Sequence, residues 1–445
     1  MRILTLLLGT AGNALIAFLT HLLLTRKLPV ADYGHVVSAT AAVTMLTPVA
    51  GMTTGWFWLE LYGREGQAAA RWGKAARRTA VLAFLVSFAL LAAYLVAAGG
   101  RGGAVGTMLA CACILLAGQT MADARAVRLQ LEERYFSLAL WQTAPQALRS
   151  LAVLALLAWA AMSEQAVMLG YAAAGLAAAL LSGASVRALT GGTVRLPESR
   201  ASGPAPERAA AAPDVRACLE AAWPFSLVTL FYLVYSTGIL ALVSPLIGAQ
   251  ASAYYNVGFL IFNSLAMLPS VVYGKYLAGK LFRWWSHDQE RFVAAFHLGV
   301  AAHGCLGVVL GACVWLAAPV LVPLLFGESY RAAVPVVQIL ALAVPIRFVQ
   351  HGYGSVLFSQ EHIRRKVGYM GQAAGASMLL LFWLAPAHGV TGAAVCAVAA
   401  ELLLLILYVR GAARHVGPID VRATLSLRTL YTAYRQFARQ AVGGA

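Results

Sequence analysis

The sequence predicts an all-α polytopic membrane protein of about twelve transmembrane helices. Three observations carry that prediction. Of the 445 residues 61% are hydrophobic, only 11% are charged, and long stretches contain no Asp, Glu, Lys or Arg at all. A soluble domain covers its surface with about a quarter of its residues charged, so a soluble enzyme and a disordered chain are both excluded. The mean hydropathy of +0.75 agrees.

Taken in order, residues 3–25, 35–59, 79–100, 102–122 and 165–186 are free of charge, and each reaches the roughly 20 residues that cross a bilayer core. Residues 137–160 add a span around Arg149. The charge-free run 221–274 is long enough for two, with a turn signal at Ser244-Pro245 and Gly248 near its middle. The set closes with 292–327, 333–357 around Arg347, 367–386, and 392–408 around Glu401. The first apolar stretch, Ile3 to Thr25, is longer than the 7–15 residues of a signal-peptide core and is followed by Arg26-Lys27, so it reads as a retained helix.

The 33 Lys and Arg exceed the 17 Asp and Glu, giving a formal charge of +16. With the N-terminus inside, 27 of the 33 basic residues fall on inner segments, four fall on outer turns (Arg26, Lys27, Arg101, Arg331), and two fall within spans. This asymmetry predicts cytoplasmic N- and C-termini. It also removes nucleic acid as a partner, because orientation in the membrane accounts for the basic excess.

The Pro/Ala/Arg-rich stretch 187–218 divides the spans six and six and has the composition of an exposed linker. The expected organisation is therefore an N-terminal lobe 1–186, a cytoplasmic linker 187–218, a C-terminal lobe 219–409 and a tail 410–445. The halves echo each other faintly: Leu28-Pro29 through Tyr33-Gly34 in one, and Ile247-Gly248 through Tyr254-Tyr255-Asn256 in the other. In the tail, Leu427, Leu430, Tyr431, Tyr434, Phe437, Ala438 and Ala441 follow helical spacing, with Arg428, Arg435 and Arg439 on other faces. Such a basic amphipathic helix would lie on the inner leaflet against anionic lipids.

Catalytic signatures are absent. No GxxxxGK[ST], HExxH, CxxC or DxD run occurs. The six cysteines, Cys111, Cys113, Cys218, Cys305, Cys313 and Cys396, have no metal-like spacing. No catalytic residue, metal or cofactor is therefore expected, and the chain reads as a non-enzyme. The outer turns hold about ten polar residues or fewer, which disfavours a membrane saccharide polymerase or ligase.

The informative residues are polar ones inside spans. Gln142, Gln146 and Arg149 stand at i, i+4, i+7, and Arg347, Gln350, His351 and Gly354 at i, i+3, i+4, i+7, so each set shares one helix face. An arginine at mid-bilayer costs about 2.5–3.5 kcal/mol, and the chain has few buried acids to neutralise two. A cationic, water-filled cavity lined by these residues and Asn13 is the economical expectation. Glu401 is either a protonatable coupling site or an ion-pair partner, for example of Arg149. Thr40, Thr44, Thr47, Gly51 and Thr54 form a hydroxyl-bearing stripe beside Pro48, and Gly51/Gly55, Gly307/Gly311 and Gly371/Gly375 have the spacing of helix-packing contacts.

Four segments carry a family resemblance: NALIAFLTHLLLTRKLPVADYGHVVSATA, LIGAQASAYYNVGFL, PLLFGESYRAAVPVVQILALAVPIRFV and GVTGAAVCAVAAELLLL. In order along nearly the whole chain, they resemble the polysaccharide-transport flippases of the multidrug/oligosaccharidyl-lipid/polysaccharide exporter superfamily. The resemblance implies a MATE-like fold of two six-helix lobes forming a V around a central cavity. It implies that the chain moves an undecaprenyl-pyrophosphate-linked oligosaccharide repeat unit across the bacterial inner membrane by alternating access, for O-antigen, capsule or exopolysaccharide biosynthesis. Arg149 and Arg347 would then grip the pyrophosphate, polysaccharide polymerases or glycosyltransferases would be partners, and coupling to H+ or Na+ stays open. The alternative within the superfamily is a cation-coupled multidrug exporter using Glu401.

Overall fold

The computed structural model describes residues 2–98, 103–159, 162–196, 212–271, 289–357 and 363–415. The tail helix expected beyond His415 and the linker segment 197–211 lie outside the described residues. Among the described residues the fold is all-helical. Seven helical stretches are long and apolar enough to cross a membrane: Trp56–Ala97, Gly106–Leu131, Glu164–Gly191, Val215–Ile247, Ala295–Phe326, Glu328–Val356 and Arg364–Arg414. The protein is a multi-pass membrane protein.

The first helices are α1 (Arg2–Lys27) and α2 (Val30–Ala50). Helix α2 begins five residues before the charge-free stretch does. Pro29 precedes it and Asp32 sits in its first turn, where a carboxylate favours the helix dipole. It also ends earlier than expected: Gly51 caps it just after Pro48, and a separate helix α3 (Trp56–Glu65) follows. The single span expected over 35–59 is thus two elements: Pro48 lacks the N–H that would bond the Thr44 carbonyl, and beyond the Gly51 N–H bond to the Thr47 carbonyl the backbone turns, with the Thr54 N–H on the Gly51 carbonyl.

A 3-10 segment, Gly66–Trp72, leads into α4 (Gly73–Ala97), then α5 (Gly103–Leu131), α6 (Tyr135–Ala158) and α7 (Glu164–Gly191). Helix α6 misses the apolarity of a simple span because Gln142, Pro145, Gln146 and Arg149 interrupt it. Asp214 caps α8 (Val215–Ile247), its side chain accepting from the Ala217 N–H at 2.8 Å. Gly248, with φ of 105°, separates α8 from α9 (Ala249–Val271) at the turn expected from sequence. The remaining helices are α10 (Gln289–Phe326), α11 (Val334–Ala341), α12 (Ala343–Val356) and α13 (Ile363–His415). Helix α13 carries the last two expected spans, which meet at Pro386 and at Gly389 with φ of 62°.

Contacts divide the chain into two compact units, Met1–Ala253 and Tyr254–Ala445. This division falls later than the linker. Helix α8 joins the first unit because it packs along α2. Tyr94 donates to the Ala241 carbonyl at 2.8 Å, and the Ala249 carbonyl lies 1.8 Å from where a Cβ on Gly34 would be. Only glycine permits that approach.

In the first unit, α5 and α7 cross most tightly at Gly118 and Gly175, where a Cβ on Gly118 would lie 2.3 Å from the Gly175 carbonyl oxygen. A core of Phe57, Trp58, Leu61, Tyr62, Trp72 and Leu189 closes one end. There Tyr62 donates to the Leu189 carbonyl at 2.7 Å, and Glu65 accepts from Arg64, Arg71 and Trp72. In the second unit, α10 meets α11 and α12 at Gly307 and Gly311, a pair expected to pack. Gly55 and Gly375 face open space and make no such contact. Leucines and valines such as Leu82, Leu85, Leu316 and Val320 are more than half exposed, as lipid-facing positions of a membrane protein are.

Candidate functional site

Each unit holds one of the two intramembrane arginines, in different surroundings. In the first unit, Pro145 stands four residues before Arg149 on α6 and cannot donate to the Trp141 carbonyl. Arg149 is half-buried. Its guanidinium lies 5.7 Å from the centre of the Tyr171 ring on α7, a cation–π geometry. It makes no ion pair and no hydrogen bond among the described residues. Beside it is a small niche whose walls include Leu115, Gly118, Gln119, Pro145 and Gly175. Its volume is about 10 Å³, room for about one oxygen atom.

Helix α1 closes this neighbourhood. Thr20 and Ser150 share a hydrogen bond of 2.6 Å, joining α1 to α6 next to Arg149. His21 takes a 3.1 Å hydrogen bond between its Nδ1 and the Tyr33 hydroxyl. On α2, the Thr47 hydroxyl donates to Gln119 Oε1 at 2.8 Å, whereas Thr40 and Thr44 only back-bond to carbonyls of their own helix. The hydroxyl stripe expected on this helix thus makes one cross-helix bond.

In the second unit, Arg347 on α12 is buried and ion-paired to Glu401 on α13. Gln350 reinforces the pair, its Nε2 donating to Glu401 Oε2 at 3.2 Å. The Arg347 guanidinium also lies 5.3 Å from the Phe262 ring centre. Glu401 therefore serves Arg347, on the facing helix of its own unit, and not Arg149. His351 is half-buried one residue beyond Gln350. Lys366, counted from sequence among the inner-segment cations, donates to the Gly354 carbonyl at 2.8 Å and lies 5.7 Å from the Tyr408 ring centre.

Solved structures can be set beside this geometry. The lipid II flippase MurJ, in an inward closed conformation, matches with a TM-score of 0.71 at 9% identity, over 97% of this chain and 92% of that one. An inward-facing multidrug resistance MATE transporter of the MOP superfamily matches at 0.62 and 13% identity, over 91% and 94%. A MOP superfamily transporter from Pyrococcus furiosus matches at 0.53 and 12%, over 93% and 95%. The chain has the fold of these transporters. No family model and no curated protein matches the sequence.

Within that fold, the residues singled out from sequence separate. Arg347, Gln350 and Glu401 come together as one buried cluster. Gln142, exposed, and Gln146, half-buried, share the Arg149 helix face yet do not line its niche. Asn13, on α1, has a buried Oδ1 without a hydrogen-bond partner among the described residues. Gln119 and Tyr171 are the neighbours of Arg149 that sequence reasoning missed. A lone glutamine in an otherwise apolar span carries a weak signal, and Tyr171 reads as an ordinary interior aromatic. Asp123, one turn along α5 from Gln119, is exposed and makes no ion pair among the described residues.

Proposed function

We propose that this protein is a flippase that carries an undecaprenyl-pyrophosphate-linked oligosaccharide repeat unit across the bacterial inner membrane by alternating access, for surface polysaccharide assembly. One observation carries the reading: Arg149 is a cation inside the membrane domain with no carboxylate partner among the described residues, set against a niche of oxygen size. A phosphate group is the natural counter-charge for such a guanidinium, and a charge-assisted hydrogen bond to it contributes about 1.5–3 kcal/mol. The fold likeness to a lipid II flippase supports a lipid-linked cargo.

In this proposal Arg149 is the headgroup ligand. Arg347, neutralised by Glu401, holds the second unit together. That engagement also weakens the reading of a multidrug exporter coupled through Glu401, because a carboxylate locked to arginine is a poor exchangeable proton site. Translocation requires no covalent chemistry, and its energy comes from an ion gradient or from consumption of the cargo on the far side.

The test is a deletion strain scored for surface polysaccharide and for the membrane face on which lipid-linked repeat units collect. Cytoplasmic-face accumulation, rescued by the intact gene and not by Arg149→Ala, is the expected result. Single units on the outer face with failed chain growth would point to a polymerase instead. Normal polysaccharide together with drug sensitivity would point to the exporter.

A further inference from the structure

The niche beside Arg149 has a second polar wall. Gln119 lines it from α5, and its Oε1 accepts the Thr47 hydroxyl at 2.8 Å. That contact is shorter than the 3.0 Å back-bond from the same hydroxyl to the Val43 carbonyl. With its oxygen engaged by α2, the amide makes that bond without using either of its two N–H groups. The other walls offer nothing comparable: Leu115 is apolar, Gly118 and Gly175 bring no side chain, and Pro145 has no N–H. The glycine crossing also bounds the niche. With a Cβ on Gly118 excluded at 2.3 Å from the Gly175 oxygen, α5 and α7 cannot move apart without loss of packing, and the space stays near one oxygen in size.

We propose that Gln119 is a second ligand-binding and specificity-determining residue of this site, and that the niche takes one terminal oxygen of a phosphoryl group between the Gln119 amide and the Arg149 guanidinium. This inference rests on the flippase reading above and narrows it. A neutral donor beside a cation admits an anionic acceptor oxygen and gains little from a lipid alcohol. Thr47 is a positioning residue, acting through the orientation of the amide.

The experiment is isothermal titration of the purified full chain in detergent with farnesyl pyrophosphate, farnesyl monophosphate and farnesol, with thermal unfolding measured on every variant. The intact protein should bind both phosphates and not the alcohol. Gln119→Leu should weaken phosphate binding about tenfold or more, the loss of one hydrogen bond to a charged group. Gln119→Glu preserves the shape and the bond from Thr47 but sets a carboxylate beside Arg149, so it should abolish phosphate binding while raising the unfolding temperature. Thr47→Val should weaken binding by a few-fold, with Thr47→Ser restoring it. Phosphate affinities unchanged in both Gln119→Leu and Gln119→Glu would overturn the inference and leave the niche a water-filled packing gap. If the intact protein binds none of the phosphates, the flippase reading fails first and the inference falls with it; if it binds them and loses them only with Arg149→Ala, the reading stands and the inference fails.

Discussion

Removing one partner of the Arg347–Glu401 pair should harm the protein far more than removing both. The side chains are 6% and 5% exposed, and Gln350 adds a donor to the same carboxylate. Breaking a buried pair leaves one charge desolvated and uncompensated, at about 3–5 kcal/mol, whereas replacing both members by apolar residues of similar volume is near neutral. For a unit of this size about 1 kcal/mol shifts the unfolding midpoint by about 2–4 °C. Glu401→Leu and Arg347→Met should thus each lower the midpoint by about 6–20 °C, and the double variant Arg347→Met/Glu401→Leu should recover most of the loss. The assay is a double-mutant cycle of thermal unfolding in detergent, run beside binding of farnesyl pyrophosphate. The double variant should still bind. Arg347→Met that unfolds like the intact protein yet no longer binds the pyrophosphate would refute the reasoning, because Arg347 would then be a headgroup ligand and not a structural cation.

Arg149→Ala should behave in the opposite way: it removes a charge with no carboxylate partner among the described residues, so the unfolding midpoint should stay level or rise while polysaccharide export is lost in complementation. Gly118→Ala should sharply reduce the amount of monodisperse protein recovered, since its Cβ would enter the Gly175 carbonyl at 2.3 Å; size-exclusion chromatography reads this directly. Tyr62→Phe removes the 2.7 Å bond to the Leu189 carbonyl and should lower stability by about 1 kcal/mol, visible as a midpoint shift of a few degrees with export intact.

Much of the fold was legible because lipid acts as a simple solvent. Charge-free stretches located most helices within a few residues, and Gly248 marked the α8–α9 turn. The failures have specific causes. A span bounded by charge starts late because Asp32 opens α2 favourably, and the charge-free run 35–59 reads as one span although α2 ends at Gly51, just after Pro48. The close approach of Gly34 to the Ala249 carbonyl joins residues more than two hundred positions apart, which no local pattern encodes. The candidate site was legible only in part for the same reason. Helical spacing put Gln142 and Gln146 with Arg149 on one face of α6. Which face meets the niche depends on how α5 and α7 cross at Gly118 and Gly175, and that crossing selected Gln119. The sequence leaves Glu401 between a coupling site and an ion-pair partner, and the packing of α12 on α13 sets it against Arg347.

The two arginines carry a similar insertion penalty, about 2.5–3.5 kcal/mol each at mid-bilayer, and the protein treats them differently. Arg347 is compensated within its own unit, so its penalty is relieved as the unit folds and none of that relief remains for a ligand. Arg149 has a ring beneath it, a niche beside it and no paired acid among the described residues, so its compensation is left to whatever anion arrives. On the proposed function that relief becomes binding free energy for the cargo. An anion that recovers 2.5–3.5 kcal/mol gains roughly 70- to 400-fold in affinity over a neutral lipid of the same chain. The same difference predicts opposite signs in one measurement. Deleting the compensated arginine destabilises the empty protein, and deleting the uncompensated one does not. A selective site in a membrane can therefore be recognised by the charge that folding leaves unbalanced, more surely than by the number of charges the sequence places there.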